Sequence, residues 1–464
     1  MITIDIIWSL FSTVLHIGYV NLLATAASLA IAYRVYYALY VSPLCNVPGP
    51  FLARITNKRS EFLGAIGYMG RFARNEPREY GDVYVYQPNA VAISHPVDVR
   101  TLASMRRRQL GPYFSMNYLA KAEPKIAQNG ILSLKAKWET QLAASVDGRV
   151  EVNYYKDFLF ATFDTIGALA FGREFNALKN NDRTMIDWIG DAVTYLGMTA
   201  NFPLLANYPA SLLLGRWERS YNSVIDYAKA SVNMRRGYLS ATSPENKPES
   251  LLMLLAGSET SSNTLMWTVH LLMLYPQHYQ RAVDEVRTKF AADYLIGYSE
   301  GRLGLPFIEA CIYESMRLMP VTGGLWPRVV PESGITLQGH YLPPGTEIYV
   351  NLSGANLNSA VWDRPLEFDP TRFLDNEEAR RNMFTFSTGV RICPGRNLAW
   401  IEMLGILANV LKDYDIAFPE DYKLRGPNVL DENGNPKVLD SRHFFVSVPQ
   451  NPERDCRLVL TKRV

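Results

Sequence analysis

The chain has 464 residues, with 47 Lys and Arg against 45 Asp and Glu, and 48% of its residues are hydrophobic. A net charge of +2 over this length provides no positive field for a phosphate backbone, which excludes nucleic acid as a partner. The high apolar content also excludes a disordered chain. Four scattered cysteines are too few for a disulfide framework and indicate a reducing compartment: Cys45, Cys311, Cys393 and Cys456.

The N-terminal segment is apolar, since residues 6–33 contain no Asp, Glu, Lys or Arg. A helix of this length spans about 40 Å, more than the ~30 Å hydrocarbon core of a bilayer. A cleaved signal peptide is the alternative, but it would have a basic start and a shorter apolar run, and this start carries Asp5. Arg34 and the basic residues after it favour a cytosolic body by the positive-inside rule. We therefore predict a membrane anchor over residues 1–40 and one body over residues 41–464.

The body is predicted to be mainly α with small β-sheets, an α+β fold. Alternating β-formers predict strands within residues 80–95, 334–353, 443–448 and 456–461. Apolar residues at helical spacing predict helices over residues 185–196, 217–238, 251–274, 277–291 and 397–412. Residues 363–395 are rich in Pro, Asn and Asp and have little periodicity, which predicts an ordered loop.

The sharpest chemical signal is the segment FSTGVRICPGR, residues 386–396. Its Cys393 precedes a predicted helix, where backbone N–H groups can point at the sulfur and favour a thiolate. A thiolate can ligate iron. A buried cysteine that packs as a small hydrophobe is the alternative. That alternative does not explain why four other residues occur together at fixed distances from the cysteine: Phe386, Gly389, Arg391 and Gly395.

This segment resembles the haem-binding signature of the cytochrome P450 haem-thiolate monooxygenases, F-x-x-G-x-R-x-C-x-G, at every fixed position. Three further segments follow the family's order: AGSET at residues 256–260, ESMR at residues 314–317 and FDPTRF at residues 368–373. The resemblance implies a cytochrome P450 fold behind a single N-terminal transmembrane helix. It also implies a haem b that Phe386, Gly389 and Gly395 help to hold and whose iron takes Cys393 as its axial ligand.

The AGSET segment lies in a predicted helix that is apolar almost all round, which places it in the middle of the body. Ala256 and Thr260 share one face, and Gly257 removes a side chain where a flat ligand would press against the backbone. A Thr that bonds the carbonyl four residues before it, beside a surface Glu, is the alternative. The resemblance implies that Ala256 and Gly257 contact the haem and that Glu259 and Thr260 form the catalytic proton relay.

Glu314 and Arg317 lie three residues apart and face one another on a helix, where an exposed pair contributes only a few tenths of a kcal/mol. With Arg372 as a third member, a buried network becomes plausible, and losing one partner would then cost several kcal/mol. The resemblance implies that this network has a structural role and holds the loop on the haem side.

The haem propionates require cations, and the resemblance nominates Arg391, Arg328 and Arg107 for them. A solvated charge run is the alternative for Arg107, which lies in the run of residues 106–108. No flavin or nicotinamide fingerprint accompanies a strand, so the resemblance implies that NADPH supplies electrons through a separate membrane-bound reductase. We expect this reductase to dock on the Cys393 side, against positive charge from several residues: Arg391, Arg396, Lys121, Lys125, Lys135 and Lys137.

Two segments are shorter than in the family, at about residues 99–106 and 238–251, and the missing pieces form the family's substrate lid. The resemblance implies an endoplasmic reticulum enzyme, single-pass and in contact with membrane lipid, with its catalytic domain in the cytosol. It would insert one oxygen atom from O2 into a lipophilic small molecule, by hydroxylation or epoxidation, in fungal secondary metabolite biosynthesis. The alternative is a non-catalytic haem-binding pseudoenzyme made by the lid truncations.

Overall fold

The computed structural model describes residues 21–103, 114–172, 174–202, 205, 207, 209–238, 249–292, 294–389, 392–422, 426–443 and 446–463. Helices dominate this part of the chain, as the predicted fold class requires. In chain order they are α1 (Asn21–Val41), α2 (Phe51–Ile55), α3 (Lys58–Ala65), α4 (Met69–Tyr80), α5 (Pro96–Ala103), α6 (Met116–Ile126), α7 (Ser133–Ala144), α8 (Tyr154–Ile166), α9 (Ala177–Asn180), α10 (Thr184–Asn201), α11 (Gly215–Tyr238), α12 (Glu249–Leu274), α13 (Pro276–Lys289), α14 (Tyr298–Gly304), α15 (Pro306–Leu318), α16 (Leu352–Asn356), α17 (Glu377–Arg381), α18 (Arg396–Asp413) and α19 (Pro452–Asp455).

The strands form small separate sheets. They are β1 (Val83–Gln87), β2 (Ala90–Ile93), β3 (Arg149–Asn153), β4 (Leu325–Val329), β5 (Ile335–Leu337), β6 (His340–Leu342), β7 (Glu347–Asn351), β8 (Tyr414–Ala417), β9 (Ser441–His443), β10 (Ser447–Pro449) and β11 (Arg457–Lys462). One sheet has the order β1-β2-β7-β4, and only its β2–β7 pair is parallel. Another has the antiparallel order β3-β11-β8, and β5–β6 and β9–β10 are two-stranded.

Most predicted elements are present. The strands within residues 80–95 are β1 and β2, and those within residues 334–353 are β5, β6 and β7. The strand predicted over residues 443–448 is instead divided between β9 and β10, and residues 444 and 445 lie outside the described part. Three strands have no counterpart in the prediction, namely β3, β4 and β8. Each is short and gains its hydrogen bonds from a partner distant in sequence, so no local pattern reveals it.

Helix α12 is the central element of the body. Every residue from Ser261 to Tyr275 is buried, because α8, α15 and α18 all pack against this helix. Its closest neighbour is α8, whose Thr162 hydroxyl donates a hydrogen bond to the Ser258 carbonyl at 2.8 Å. An all-round apolar helix is stable only when other elements cover every face, and the predicted central position of α12 is confirmed.

Helix α1 is long and apolar enough to cross a membrane, with a mean hydropathy of 1.4 and only 6% of the span buried. It continues through Arg34, whose Nε donates to the Ile55 carbonyl at 2.6 Å and ties the helix to the body. The Val-Pro-Gly-Pro segment after α1 packs against β1, because the Val85 N–H donates to the Pro48 carbonyl at 2.7 Å.

Candidate active site

Cys393 lies at the end of a tight loop, three residues before α18 begins. Its N–H donates to the Phe386 carbonyl at 2.8 Å, and its carbonyl accepts from the Arg396 N–H at 3.3 Å. Gly389 has a φ of +62°, a left-handed conformation that glycine adopts without steric cost. The backbone of the predicted motif therefore folds back on itself and presents the cysteine at the start of a helix. The predicted propionate residues Arg391 and Arg107 lie outside the described residues.

The thiol environment differs from the prediction. Cys393 is exposed by accessible area, but its sulfur is recessed among protein atoms. This burial raises the pKa of the thiol, although the N–H groups of Gly395 and Arg396 act in the opposite direction. Backbone donors alone therefore do not produce a thiolate, and a bound metal ion is the charge that would deprotonate this sulfur.

The donor set fits an iron held by an organic ring. No group of three or more His, Cys, Asp or Glu residues that could hold a metal occurs in the described part of the chain. A metal bonded to Cys393 would then take its other ligands from outside the side chains described, and one cysteine thiolate is sufficient for haem.

Arg328, which was predicted to bind a haem propionate, is on β4, where its Nη1 donates to the Pro327 carbonyl at 2.8 Å.

The AGSET segment lies where α12 emerges from full burial, since Ala256, Gly257 and Thr260 are partly exposed. The Thr260 hydroxyl donates to the Ala256 carbonyl at 2.7 Å, so its oxygen remains able to accept a hydrogen bond from a group beside the helix. The alternative is therefore correct for Thr260, which bonds the carbonyl four residues before it, and wrong for the surface Glu, because Glu259 is only 8% exposed. Burial raises the pKa of Glu259 to about 7, so this carboxyl can both take up and release a proton near neutral pH.

Gly257 has a packing role that the sequence did not indicate. A Cβ at this position would lie 2.8 Å from Ile166 Cδ1 on α8, closer than two carbon atoms can pack. The glycine therefore allows α8 and α12 to approach closely. The contact of Gly257 with a flat ligand stays a prediction.

Sequence reasoning missed Glu402, which lies on α18 at a position 1% exposed. Burial raises its pKa to about 8, and the nearby Ser261 hydroxyl of α12 only partly opposes this shift. Neither carboxyl oxygen forms a hydrogen bond of good geometry within the described residues. A neutral carboxyl therefore lies between the helix that follows Cys393 and the helix that carries Thr260. A lone acid in the apolar run of residues 398–411 was the available signal.

Glu402→Gln is expected to change how stability depends on pH. Between about pH 4.5 and pH 8 the folded chain keeps a proton on Glu402 that the unfolded chain releases. The free energy of unfolding therefore falls as pH rises through this window, by up to about 1.4 kcal/mol per pH unit. Unfolding measured at several pH values should give a shallower slope for Glu402→Gln. The exposed residue Glu420 provides the control, because Glu420→Gln should keep the wild-type slope.

Glu314 and Arg317 form the predicted buried pair, with both side chains 0% exposed. Arg317 Nε and Nη2 each donate to a different carboxyl oxygen of Glu314 at 2.7 Å. Arg372 Nε reaches Glu314 Oε1 at 3.3 Å. Arg317 also donates to the carbonyls of Pro365 at 2.7 Å and Glu367 at 3.0 Å. The ions are paired and fully bonded, so helix α15 holds the loop after α16 in one conformation.

Asn356 extends this support toward the cysteine, and no motif had singled it out. Its side-chain oxygen accepts from the Phe384 N–H at 3.0 Å, and its amide nitrogen donates to Thr385 Oγ1 at 3.2 Å and to the Met316 carbonyl at 3.4 Å. Phe386 comes directly after Thr385 in the chain. The fully buried side-chain amide of Asn356 therefore joins α15 to the start of the Cys393 loop.

The predicted positive surface near Cys393 is smaller than expected. Lys135 pairs with Asp413 and Lys137 pairs with Asp157, each at 2.6 Å and with little exposure. These lysines are neutralised by acids of the same body and present little charge to a partner. Lys121 and Lys125 are exposed on α6, which packs against α18.

Comparisons with known proteins agree with this geometry. The family model described as Cytochrome P450 matches residues 240–429. The curated protein "Cytochrome P450 monooxygenase helB1" of Aspergillus fumigatus is 42% identical over 94% of this chain and 84% of its own length. The "Trichothecene C-4 hydroxylase" of Trichoderma arundinaceum is 28% identical over 87% of this chain and 93% of its own length.

A solved structure gives the same fold. The crystal structure of the cytochrome P450DA heme domain superposes with a TM-score of 0.69 at 18% identity, covering 90% of this chain and 98% of that one. The predicted fold is therefore confirmed by a structure of very different sequence. From its sequence, its fold and the cysteine loop, this chain belongs to the cytochrome P450 family and is a monooxygenase of the fungal type.

Proposed function

We propose that this enzyme inserts one oxygen atom from O2 into a C–H or C=C bond of a lipophilic small molecule, by hydroxylation or epoxidation. The observation that carries the proposal is the position of Cys393, at a helix start and in the family's loop. Haem b, when bound through this sulfur, supplies the iron centre at which O2 is activated. The electrons come from NADPH through a separate reductase, which docks near the exposed Lys121 and Lys125.

The protein's own contribution to the reaction is proton supply. Glu259 can hold a proton near neutral pH because burial raises its pKa to about 7. Thr260 is the next residue, and its hydroxyl donates its proton to the Ala256 carbonyl, which leaves the oxygen lone pairs to accept a hydrogen bond. We assign Glu259 as the group that stores the proton and Thr260 as the group that orients it toward the reacting oxygen. Burial of Glu259 keeps bulk water from its carboxyl and limits unproductive proton leakage.

We infer from the relatives that the substrate belongs to secondary metabolism. One relative is named for the C-4 hydroxylation of a trichothecene and another is named Versicolorin B desaturase. The first name refers to a hydroxylation and the second to a desaturation. We also propose that α1 anchors the chain in the endoplasmic reticulum membrane, with the body in the cytosol, because lipophilic substrates partition into that membrane.

A shortened lid is part of the proposal. The alignment with the Aspergillus fumigatus relative spans 491 positions, whereas this chain has 464 residues, so that relative carries residues without a counterpart here. We assign the gaps to about residues 99–106 and 238–251. A pseudoenzyme remains the competing function, and turnover decides between them. Purified protein with reductase, NADPH, a candidate substrate and isotopically labelled O2 should yield a product with one labelled oxygen, whereas a pseudoenzyme would bind haem and yield none.

Thr260→Ala should uncouple electron flow from product formation. Without the hydroxyl, no side chain orients the proton toward the reacting oxygen. NADPH consumption therefore continues, while peroxide is formed in place of the oxygenated product. We expect the product formed per NADPH to fall about tenfold or more, a lower bound set below the roughly 10²–10⁴-fold that a positioned proton-transfer group typically contributes. Thr264 is the matched control, since its hydroxyl makes the same type of bond one turn later, to the Thr260 carbonyl at 3.0 Å. Equal uncoupling in Thr264→Ala would contradict the assignment.

A further inference from the structure

A second concave site lies outside the family motifs, where α4 and α16 meet the loop over residues 358–367. It is a cavity of about 810 Å³ that opens to solvent. Side chains from α4, the loop over residues 358–367 and a hairpin near residue 434 line it. Its volume is that of a small-molecule site. No residue of this wall belongs to the site around Cys393.

Two arginines of α4 dominate the charge of this cavity. Arg74 and Arg78 are four residues apart and therefore lie on one face of the helix, where like charges repel. Arg74 is largely buried, and its Nη1 donates a hydrogen bond to the Met319 sulfur at 3.3 Å. Within the described residues neither arginine forms an ion pair with a carboxylate. Burial lowers the pKa of Arg74 to about 10, and the positive charges of Arg78 and Arg317 lower it further.

Within the described residues, the acids of the cavity wall form no ion pair with these arginines, although Asp82 is held by neutral donors and keeps its negative charge. Asp82 accepts hydrogen bonds from the Ser94 hydroxyl at 2.9 Å and the Asn358 amide at 2.6 Å. Glu367 is paired with Arg364 at 2.6 Å. Burial lowers the pKa of Arg78, and the negative charge of Glu432 only partly opposes this shift. Glu432 is exposed on the hairpin.

We propose that this cavity binds a phosphate monoester through the guanidinium groups of Arg74 and Arg78. Arg364 and Glu367 of the wall pair with one another, so Arg74 and Arg78 leave a net positive charge against the single carboxylate of Asp82. This sign is complementary to the charge of about −1.5 to −2 on a phosphate monoester at neutral pH. A guanidinium also presents paired donors that fit phosphate oxygens. The cavity wall adds the side-chain amides of Asn433 and Asn435, which can bond the remainder of the ligand. Free metabolites and lipid headgroups both carry this group.

The position of the cavity links it to the Cys393 loop. Pro365 and Glu367 line the cavity, and their carbonyls accept hydrogen bonds from Arg317. A ligand that fills the cavity packs against the same loop that the Glu314–Arg317 pair holds from the other side. Binding should therefore stabilise the folded, haem-loaded protein by mass action.

The test is equilibrium binding to the full-length, haem-loaded protein at fixed ionic strength. Glycerol 3-phosphate serves as the soluble probe, with glycerol as its uncharged control. Nanodiscs that contain phosphatidic acid serve as the headgroup probe, with phosphatidylcholine nanodiscs as the control. Saturation by the soluble probe indicates a free metabolite, and saturation by phosphatidic acid alone indicates a lipid headgroup. Binding of neither probe at millimolar concentration would overturn the proposal.

The variants locate the site. Arg78 is exposed, so Arg78→Gln should leave the fold intact. It should raise the dissociation constant of the phosphate probe at least about tenfold, because one charge-assisted contact is lost. Arg74→Gln should do the same in protein that keeps the wild-type Soret spectrum. The matched control is Arg71→Gln, since Arg71 is an exposed arginine on the same helix that does not line the cavity. Equal weakening in Arg71→Gln would show general charge attraction and would refute the site.

Discussion

Cys393→Ser should abolish the long-wavelength Soret band that a reduced, thiolate-ligated haem gives under carbon monoxide. A serine hydroxyl does not ionise near neutral pH and is a hard oxygen donor, so it cannot replace the thiolate that shifts electron density onto the iron. The surrounding loop should persist, because the Cys393 N–H bond to Phe386 and the helix start depend on the backbone. We expect complete loss of the band and of turnover, with a folded protein.

The measurement is the carbon monoxide difference spectrum of purified wild-type and variant protein, with haem content determined in parallel. Cys45→Ser serves as the control, because Cys45 is the other cysteine that is not fully buried in the part of the chain described. It should keep the wild-type band. A Cys393→Ser protein with an unchanged spectrum would show that another residue binds the iron.

Arg317→Met should be the most destabilising single substitution proposed for this chain. It leaves the Glu314 carboxylate fully buried, with Arg372 as its remaining cationic partner. Loss of one member of a buried pair costs about 3–5 kcal/mol. It also removes the donors to the Pro365 and Glu367 carbonyls, so the loop that leads to Cys393 loses its support. We expect low haem occupancy as well as a lower free energy of unfolding.

Denaturant unfolding followed by haem absorbance and by circular dichroism would measure both effects. The double variant Glu314→Gln/Arg317→Met removes both charges and should recover part of the loss, since no uncompensated ion remains in the pair. Lys58→Gln provides a surface comparison, because Lys58 is 77% exposed in its pair with Glu61, and its loss should cost less than about 1 kcal/mol. If Arg317→Met were no worse than Lys58→Gln, the network would have no structural role.

The sequence predicted the parts of the site that depend on local spacing. Glu314 and Arg317 can face one another on any helix, and the structure brings Arg372 to them as expected. The exposed Lys121 and Lys125 were likewise predicted, whereas Lys135 and Lys137 were assigned to a partner surface and instead pair within the body. Their acid partners lie 20 or more residues away, so no local spacing could indicate the pairing.

The same limit applies to Gly257 and Glu402. The sequence identified Gly257, but the crossing of α8 explains it, and a crossing is a relation between distant segments. Glu402 was passed over because its side chain becomes unusual only when α12 covers it and burial raises its pKa to about 8.

The sequence by itself determined the apolar N-terminal segment, the mostly helical body and the cysteine loop that can ligate iron, because helical period, glycine conformation and residue spacing are local properties. Only the tertiary structure decided the raised pKa values of Glu259 and Glu402, the pairing of the lysines and the place of the α4 arginines in a cavity wall. Those properties depend on burial and on charges brought together by packing, which a linear spacing does not encode.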